Sequence, residues 1–336
     1  MRKILVVDDN QTNLRVINTQ LADDYYVALA ASGEQALRIC ATEKPDLILL
    51  DVFMPGMDGF ETLRQIKTNA QLIGIPVIFL TGSNEIGVEV KGLSLGARDF
   101  LTKPVEKSVL IHRINLHLRF ASYQTNLEKM VQELSDTIAV SFAEMIEYRD
   151  ESTGGHVTRT GRLVGMLGAK LIEMGAFSEE LTPEALEMMK RAAPLHDIGK
   201  IAISDRILLK PDRLDDGEFA VMKRHALLGA EILQNMYQRM PTQRCLHYAS
   251  LIAASHHERY DGKGYPAGLA GGDIPLCGRI MAVADVYDAL TDDRVYRKGM
   301  SRLEARNIIL EGRGLNFDPL VVDAFAALSR ELTGED

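Results

Sequence analysis

The chain has 336 residues, too many for one small core, so two domains are the expectation. With 46% hydrophobic and 25% charged residues it has the composition of an ordinary globular protein, and a net charge of -9 without any Lys/Arg run argues against DNA as a partner. Cys40, Cys245 and Cys277 are few and widely spaced, Met1-Arg2-Lys3 precedes only Ile4–Val7 before Asp8, and no apolar run reaches membrane-spanning length; neither a disulfide framework, a signal peptide nor a membrane span is expected, and a cytoplasmic location is.

Over the first 120 residues, short apolar runs alternate with helix-like segments. Ile4–Val7, Val27–Ala30, Leu47–Leu50, Val77–Leu80 and Asp99–Leu101 read as strands; Leu14–Leu21, Glu34–Ala41, Gly59–Lys67 and Glu85–Leu95 read as helices. Unbroken apolar strands in such an alternation imply a five-stranded, doubly wound parallel α/β sheet covered on both faces. Function then gathers at the carboxyl ends of the strands. Asp8 and Asp9, Asp51, Thr81 and Lys103 all fall there. Three carboxylates on one edge would repel unless a hard cation such as Mg²⁺ neutralised them.

The stretch resembles the receiver domain of two-component response regulators, through Val7-Asp8-Asp9-Asn10, Asp51 with Met54-Pro55-Gly56-Met57-Asp58-Gly59, Thr81-Gly82 and Lys103-Pro104. The resemblance implies that Asp51 accepts a phosphoryl group from a cognate sensor histidine kinase. By the same resemblance Asp8, Asp9 and Asp51 hold Mg²⁺, Thr81 and Lys103 contact the phosphoryl oxygens, and Phe100 is the aromatic switch. Pro104 is expected to follow a cis peptide bond.

From Glu106 to Tyr148 there is neither Pro nor Gly, so a long connecting helix is expected over 106–148. Leu127, Val131, Leu134, Ile138, Ser141, Met145 and Tyr148 alternate four and three apart. That is the coiled-coil period, and it points to a parallel homodimer; the alternative is a helix packed on its own domain's core.

From about Ser141 onward the period is helical and strand signals vanish, and an all-α domain is expected over residues 138–336. Leu163–Met174, Glu184–Ala193, Gly217–Gln238, Tyr248–Ser255, Ile280–Leu290 and Leu303–Leu310 are its main helix candidates. A loop between Glu258 and Asp273 carries Gly262, Gly264, Gly268, Gly271 and Gly272, suited to tight turns or close approach to a ligand. At the heart of the domain stands Leu195-His196-Asp197-Ile198-Gly199-Lys200. On a helix His196, Asp197 and Lys200 would share a face, and a carboxylate able to bridge two cations beside an ammonium suits a phosphate ester. Histidine is scarce, eight in all, yet His156, His196, His225, His256 and His257 join Asp197 and Asp285 on five separate segments, which suggests a polynuclear metal site. His112, His117 and His247 lack such companions.

These residues resemble the HD-GYP family of metal-dependent phosphodiesterases. The likeness rests on Arg149-Asp150, Thr153-Gly154-Gly155-His156, Pro194–Lys200, His256-His257-Glu258, Asp261-Gly262-Lys263-Gly264-Tyr265-Pro266, Ala284–Thr291 and Asp293-Arg294. It implies hydrolysis of cyclic di-GMP. It implies His156, His196, Asp197 and Asp285 as one metal site, with His225, His256 and His257 completing a second bridged by Asp197. Imidazole with carboxylate suits iron, manganese or zinc, and the family implies iron or manganese. Lys200 would act on a phosphate oxygen beside Asp197, Arg294 and Arg297 would grip the second phosphate, and Tyr265 would face substrate. Some members add a Glu four residues before the first His for a third metal; here Ser152 stands there, so two metals are expected.

The favoured reading is a response regulator whose phosphorylation at Asp51 controls hydrolysis of cyclic di-GMP to pGpG and/or GMP. Its rivals are a catalytically weak nucleotide sensor or recruiter of a partner such as a diguanylate cyclase, and a hydrolase of a related dinucleotide such as cyclic GMP-AMP.

Overall fold

The computed structural model describes residues 1–82, 86–149, 155–292 and 298–333. Ser152, Arg294 and Arg297 lie outside them, as do Asp150, Glu151, Thr153, Gly154 and Asp293. The chain divides after Gln132 into two compact units.

In the first unit β1 (Lys3–Val7), α1 (Gln11–Leu21), β2 (Tyr26–Ala30), α2 (Gly33–Glu43), β3 (Leu47–Asp51), α3 (Gly59–Thr68), β4 (Val77–Thr81), α4 (Ile86–Ser94) and β5 (Asp99–Thr102) alternate, and α5 (Lys107–Arg149) begins. All strand pairs are parallel, in the order β2-β1-β3-β4-β5. Period-two alternation sends Ile4, Val6, Leu47, Leu49, Ile78 and Leu80 to one face, where Leu14, Ile17 and Leu21 of α1 and Leu110, Ile114 and Leu118 of α5 cover them. Leu5, Val7, Ile48, Leu50, Val77 and Phe79 face the opposite layer, built by α2 and α3 with Val88 of α4 at its margin. The strand order reverses between β1 and β3, which opens a crevice at their carboxyl ends. Asn10 and Asp58 cap α1 and α3 just past that edge.

Helix α5 runs unbroken for 43 residues. Beyond Leu118 its seam residues Leu127, Val131, Leu134, Ile138, Ser141, Met145 and Tyr148 are exposed, whereas Ala143, Ile146 and Glu147 are buried on another face. The seam therefore does not pack on the chain's own core.

The second unit continues with α6 (His156–Glu173), α7 (Pro183–Ala192), α8 (Asp205–Leu208), α9 (Asp216–Met222), α10 (Arg224–Arg239), α11 (Arg244–Ser255), α12 (Leu276–Thr291), α13 (Arg302–Glu311) and α14 (Pro319–Thr333). Helix α12 is buried nearly all round, as a central helix must be; α6, α11, α13 and α14 pack about it through Leu167, Ile252, Ile309 and Phe325, and α7 packs on α6 and α11 through Met189. Helix α14 lies beyond the helix candidates that the sequence offers, although Val321, Val322 and Phe325 are core residues. Its start is fixed by Asp318, which accepts the Leu320 amide and pairs in the interior with Arg279 of α12 at 2.6 Å.

Two further expectations are corrected. The single helix expected over Gly217–Gln238 is two, α9 and α10. At the junction the His225 ring Nδ1 bonds the Met222 carbonyl at 2.7 Å, competing for an acceptor that an unbroken helix would use. Likewise His196-Asp197 lie on no α-helix: they join two short 3-10 turns, Ala193–Leu195 and Ile198–Ala202. In such a turn residues three apart eclipse, so Lys200 stacks on Asp197, and the His196 ring still reaches the same carboxylate, with Nε2 3.5 Å from Asp197 Oδ2. Gly199 permits this turn to press on α10, since a Cβ there would sit 1.9 Å from the His225 carbonyl oxygen. Gly199→Ala should force the two backbones apart and cost about 1–3 kcal/mol, an ordinary overpacking loss, read as a lower unfolding midpoint of the full chain.

Candidate metal centre

Each histidine of the second unit is aimed by the atom its Nδ1 touches. His156, the first residue of α6, places Nδ1 2.7 Å from Asp288. Nδ1 of His196 lies 3.0 Å from the Ala193 carbonyl, that of His225 on the Met222 carbonyl, and that of His256 3.0 Å from the carbonyl of Ile252. A carbonyl only accepts, so these three rings carry hydrogen on Nδ1 and direct a bare Nε2 inward.

Those lone pairs converge on Asp197. Its Oδ1 lies 3.2 Å from His225 Nε2 and 3.5 Å from His256 Nε2; its Oδ2 lies 3.5 Å from His196 Nε2 and 2.7 Å from the Lys200 ammonium. Nε2 of His196, His225 and His256, and Oδ1 of Asp197, are buried without hydrogen-bond partners. Four acceptor atoms packed together repel unless cations lie among them, so the donor set fits metal ions.

Two groups of donors result. Asp197, His225, His256 and His257 bring ligand atoms within 4.8 Å of one another, as do Glu147, His156 and His196. Asp285 of α12 joins the second group, 3.5 Å from His156 Nε2 and 3.9 Å from His196 Nε2. Burial holds His196 down to about 4, and burial with the adjacent His256 depresses His257; neutral imidazole is the form that ligates. Burial alone would also lower His156, but Asp288, Asp285 and Glu147 outweigh it and raise it to about 9, a measure of how strongly this pocket attracts positive charge.

The glycine-rich loop closes one side. Gly264 presses on the loop's own backbone, where a Cβ would lie 2.3 Å from the Arg259 nitrogen; the close approach is to protein, not to a ligand. The buried Glu258 carboxylate accepts the amides of Ala267, Gly268 and Leu269. Held in this way, Tyr265 lies over His257 with ring centroids 4.7 Å apart, and burial raises its phenol so that it keeps its proton.

Glu147, Asp288, Arg159 and Glu258 were not read from the sequence as parts of the centre. Asp288 follows Asp285 by three and so shares its helix face, a signal that was available. Among the histidines set aside, His117 has a partner, Asp99, at 3.0 Å, and Arg113 shares that carboxylate.

In the first unit Asp8, Asp9 and Asp51 bring carboxylate oxygens within 4.8 Å. Lys103 lies 2.6 Å from Asp8 and 2.9 Å from Asp51, after a cis Lys103-Pro104 bond. Burial raises the Asp51 carboxyl, Lys103 opposes this, and the Asp8 charge adds to it. Thr81 is buried at the end of β4, and Phe100 packs on Phe79 with centroids 5.0 Å apart.

A parallel α/β domain with an acidic carboxyl edge, followed by a helical domain with clustered His and Asp, defines a response regulator with a metal-binding effector. Comparisons agree: residues 4–115 match the response regulator receiver domain, and residues 141–321 match the HD domain. A probable cyclic di-GMP phosphodiesterase of Vibrio cholerae is 43% identical over 96% of this chain and 76% of its own. The cyclic di-GMP phosphodiesterase response regulator RpfG of Xanthomonas campestris is 36% identical over 96% and 86%. A 3'3'-cGAMP-specific phosphodiesterase of Vibrio cholerae is 37% identical over 69% and 41%. The chain belongs to the family of receiver–HD-domain cyclic di-GMP phosphodiesterases. Among its described residues no helix is long and apolar enough to cross a membrane.

Asp288 fixes the His156 ring and is itself held by Arg159 at 2.6 and 3.0 Å. Asp288→Asn should therefore lower metal affinity about 10- to 100-fold, measured by titration of metal-free full chain, with helical circular dichroism unchanged.

Proposed function

We propose that the protein hydrolyses cyclic di-GMP at a binuclear centre of iron or manganese held by His156, His196, Asp197, His225, His256, His257 and Asp285. The observation that carries this reading is the Asp197 carboxylate, each oxygen facing a different set of bare imidazole nitrogens. Bound there, two cations supply Lewis-acid polarisation of a phosphate and a water of lowered pKa. The chain's own groups do the rest. The Lys200 ammonium, 2.7 Å from Asp197 Oδ2, stands where a phosphate oxygen bound beside that carboxylate would lie. The Tyr265 hydroxyl, kept protonated by burial, is assigned as a hydrogen-bond donor to the substrate. Arg294 and Arg297 are assigned to the second phosphate by their sequence spacing. Cyclic GMP-AMP is the second reading, favoured by the relative specific for it; the two dinucleotides share both phosphates and one guanine.

Control is assigned to the receiver edge: Asp51 takes the phosphoryl group from a sensor histidine kinase, Asp8, Asp9 and Asp51 hold Mg²⁺, and Thr81, Lys103 and Phe100 carry the switch. Pairing of two chains is assigned to the exposed heptad seam of α5, which would bury Leu127, Val131, Leu134 and Ile138.

Metal-loaded full chain is expected to contain two tightly bound transition metals and to turn over cyclic di-GMP in preference to cyclic GMP-AMP, with products identified by chromatography. No turnover of either dinucleotide by the loaded protein would refute the enzyme reading. Lys200→Ala should keep both metals and lose at least about tenfold in turnover, the scale of a lost electrostatic contact to the reacting group; loss of metal would make Lys200 structural.

Phosphorylation should act only through Asp51. Beryllofluoride with Mg²⁺ is expected to change turnover in the wild type and leave Asp51→Asn unaffected. Equal rates with and without beryllofluoride would remove catalytic control from the receiver.

A further inference from the structure

Glu147 sits nine positions before His156 and belongs to none of the motifs read in the sequence. It lies two residues from the end of α5, the helix that begins at Lys107 in the receiver core. It is only 6% exposed. Its Oε1 is 3.6 Å from His156 Nε2, and its ligand atom lies within 4.8 Å of those of both His156 and His196. Nε2 of His196 is buried, unpartnered and aimed into the same space. A separation of 3.6 Å is too long for a hydrogen bond. It is close to the spacing of two atoms sharing one cation, about 3.0–3.5 Å for bonds near 2.1 Å. Asp285 meets the same two imidazoles, 3.5 Å from His156 Nε2 and 3.9 Å from His196 Nε2, so both carboxylates reach the pair of rings.

We propose that Glu147 is a ligand of the metal position built by His156, His196 and Asp285, so that the helix leaving the receiver supplies part of the centre itself. The inference rests on the binuclear reading above and adds an eighth protein ligand to it. Its regulatory meaning follows from bond lengths. Helix shifts in switching proteins are about 1–2 Å, whereas a metal–oxygen bond tolerates about 0.2 Å. A movement of α5 too small to unpack Ala143 and Ile146 would still take the Glu147 carboxylate on or off that metal.

The test is Mn²⁺ binding to metal-free full chain, followed by calorimetry and by electron paramagnetic resonance of the loaded protein. Wild type should bind two Mn²⁺. Glu147→Gln, of the same size but without the charge, should bind one as wild type does and the other at least about tenfold more weakly. Glu147→Asp should regain part of that loss, which a purely packing role would not predict. Asp285→Asn should weaken the same Mn²⁺ as Glu147→Gln, and His225→Ala the other. Beryllofluoride should shift the affinity of the Glu147 position in the wild type and not in Glu147→Gln. Two Mn²⁺ bound by Glu147→Gln with wild-type affinity would overturn the proposal and leave the binuclear reading standing. Failure of the wild type to bind two Mn²⁺ would overturn both.

Discussion

The second unit is organised around an electrostatic conflict that only cations resolve. Asp197 presents two oxygens to three buried imidazoles whose nitrogens also carry lone pairs, at 3.2–3.5 Å. Hydrogen bonds cannot settle it, because the Nδ1 protons are already committed to the carbonyls of Ala193, Met222 and Ile252. Such an arrangement is costly on its own: each buried acceptor without a partner forfeits about 1–3 kcal/mol of solvation. The domain tolerates it because helices are assembled around the site by an apolar core that does not depend on the conflict being relieved. Leu167, Met189, Ile252, Ile280 and Phe325 are fully or almost fully buried and lock α6, α7, α11, α12 and α14 together.

The positions of the ligands in the chain follow from that constraint. A histidine whose Nδ1 must reach a carbonyl three or four residues back is well served by a helix end or a 3-10 turn; the Ala193 and Ile252 carbonyls each take both the backbone amide and the ring of their histidine. His196 stands between two such turns, His225 at the start of α10, and His256 at the end of α11. The break between α9 and α10 belongs to the same logic, since the His225 ring takes the carbonyl of Met222. His156 differs: it opens α6 and uses the Asp288 carboxylate in place of a carbonyl, with Arg159 holding that carboxylate in turn. This position thereby gathers more negative charge than its neighbour.

Much of this was legible in the chain. Five apolar runs in the first unit became five strands because unbroken hydrophobic tracts of that length have few other fates, and the carboxyl-edge residues Asp8, Asp51, Thr81 and Lys103 followed from the topology. The scarcity of histidine made His156, His196, His225, His256 and His257 stand out. What escaped was whatever depends on three-dimensional competition. The 3-10 geometry at His196-Asp197 is imposed by contact with α10 through Gly199, which no local pattern announces. Helix α14 was passed over although Asp318-Pro319 is a strong start signal. Glu258 resembled a member of a polar loop until its carboxylate was seen to gather three amides of that loop. Glu147 was hidden by its setting: on a helix rich in exposed charge, a single carboxylate carries no mark of its burial.

Helix α5 unites these observations physically. Near its start, Leu110, Ile114 and Leu118 are buried in the receiver core; near its end, Ala143 joins the core of the second unit and Ile146 is buried. Between them the seam residues Leu127, Val131 and Leu134 face solvent. A helix anchored at both ends and bare in the middle can transmit a displacement only if it stays intact, and the absence of Gly and Pro from Glu106 to Tyr148 favours that. The control proposed for Asp51 requires little energy. A bias of about 1.4 kcal/mol changes an equilibrium tenfold. Coupling of this size must arise where a small motion changes a strong interaction, and apolar packing yields gradually over an ångström whereas a carboxylate–cation bond does not. The buried end of α5, with Glu147 3.6 Å from His156, is where the helix meets interactions of the second kind.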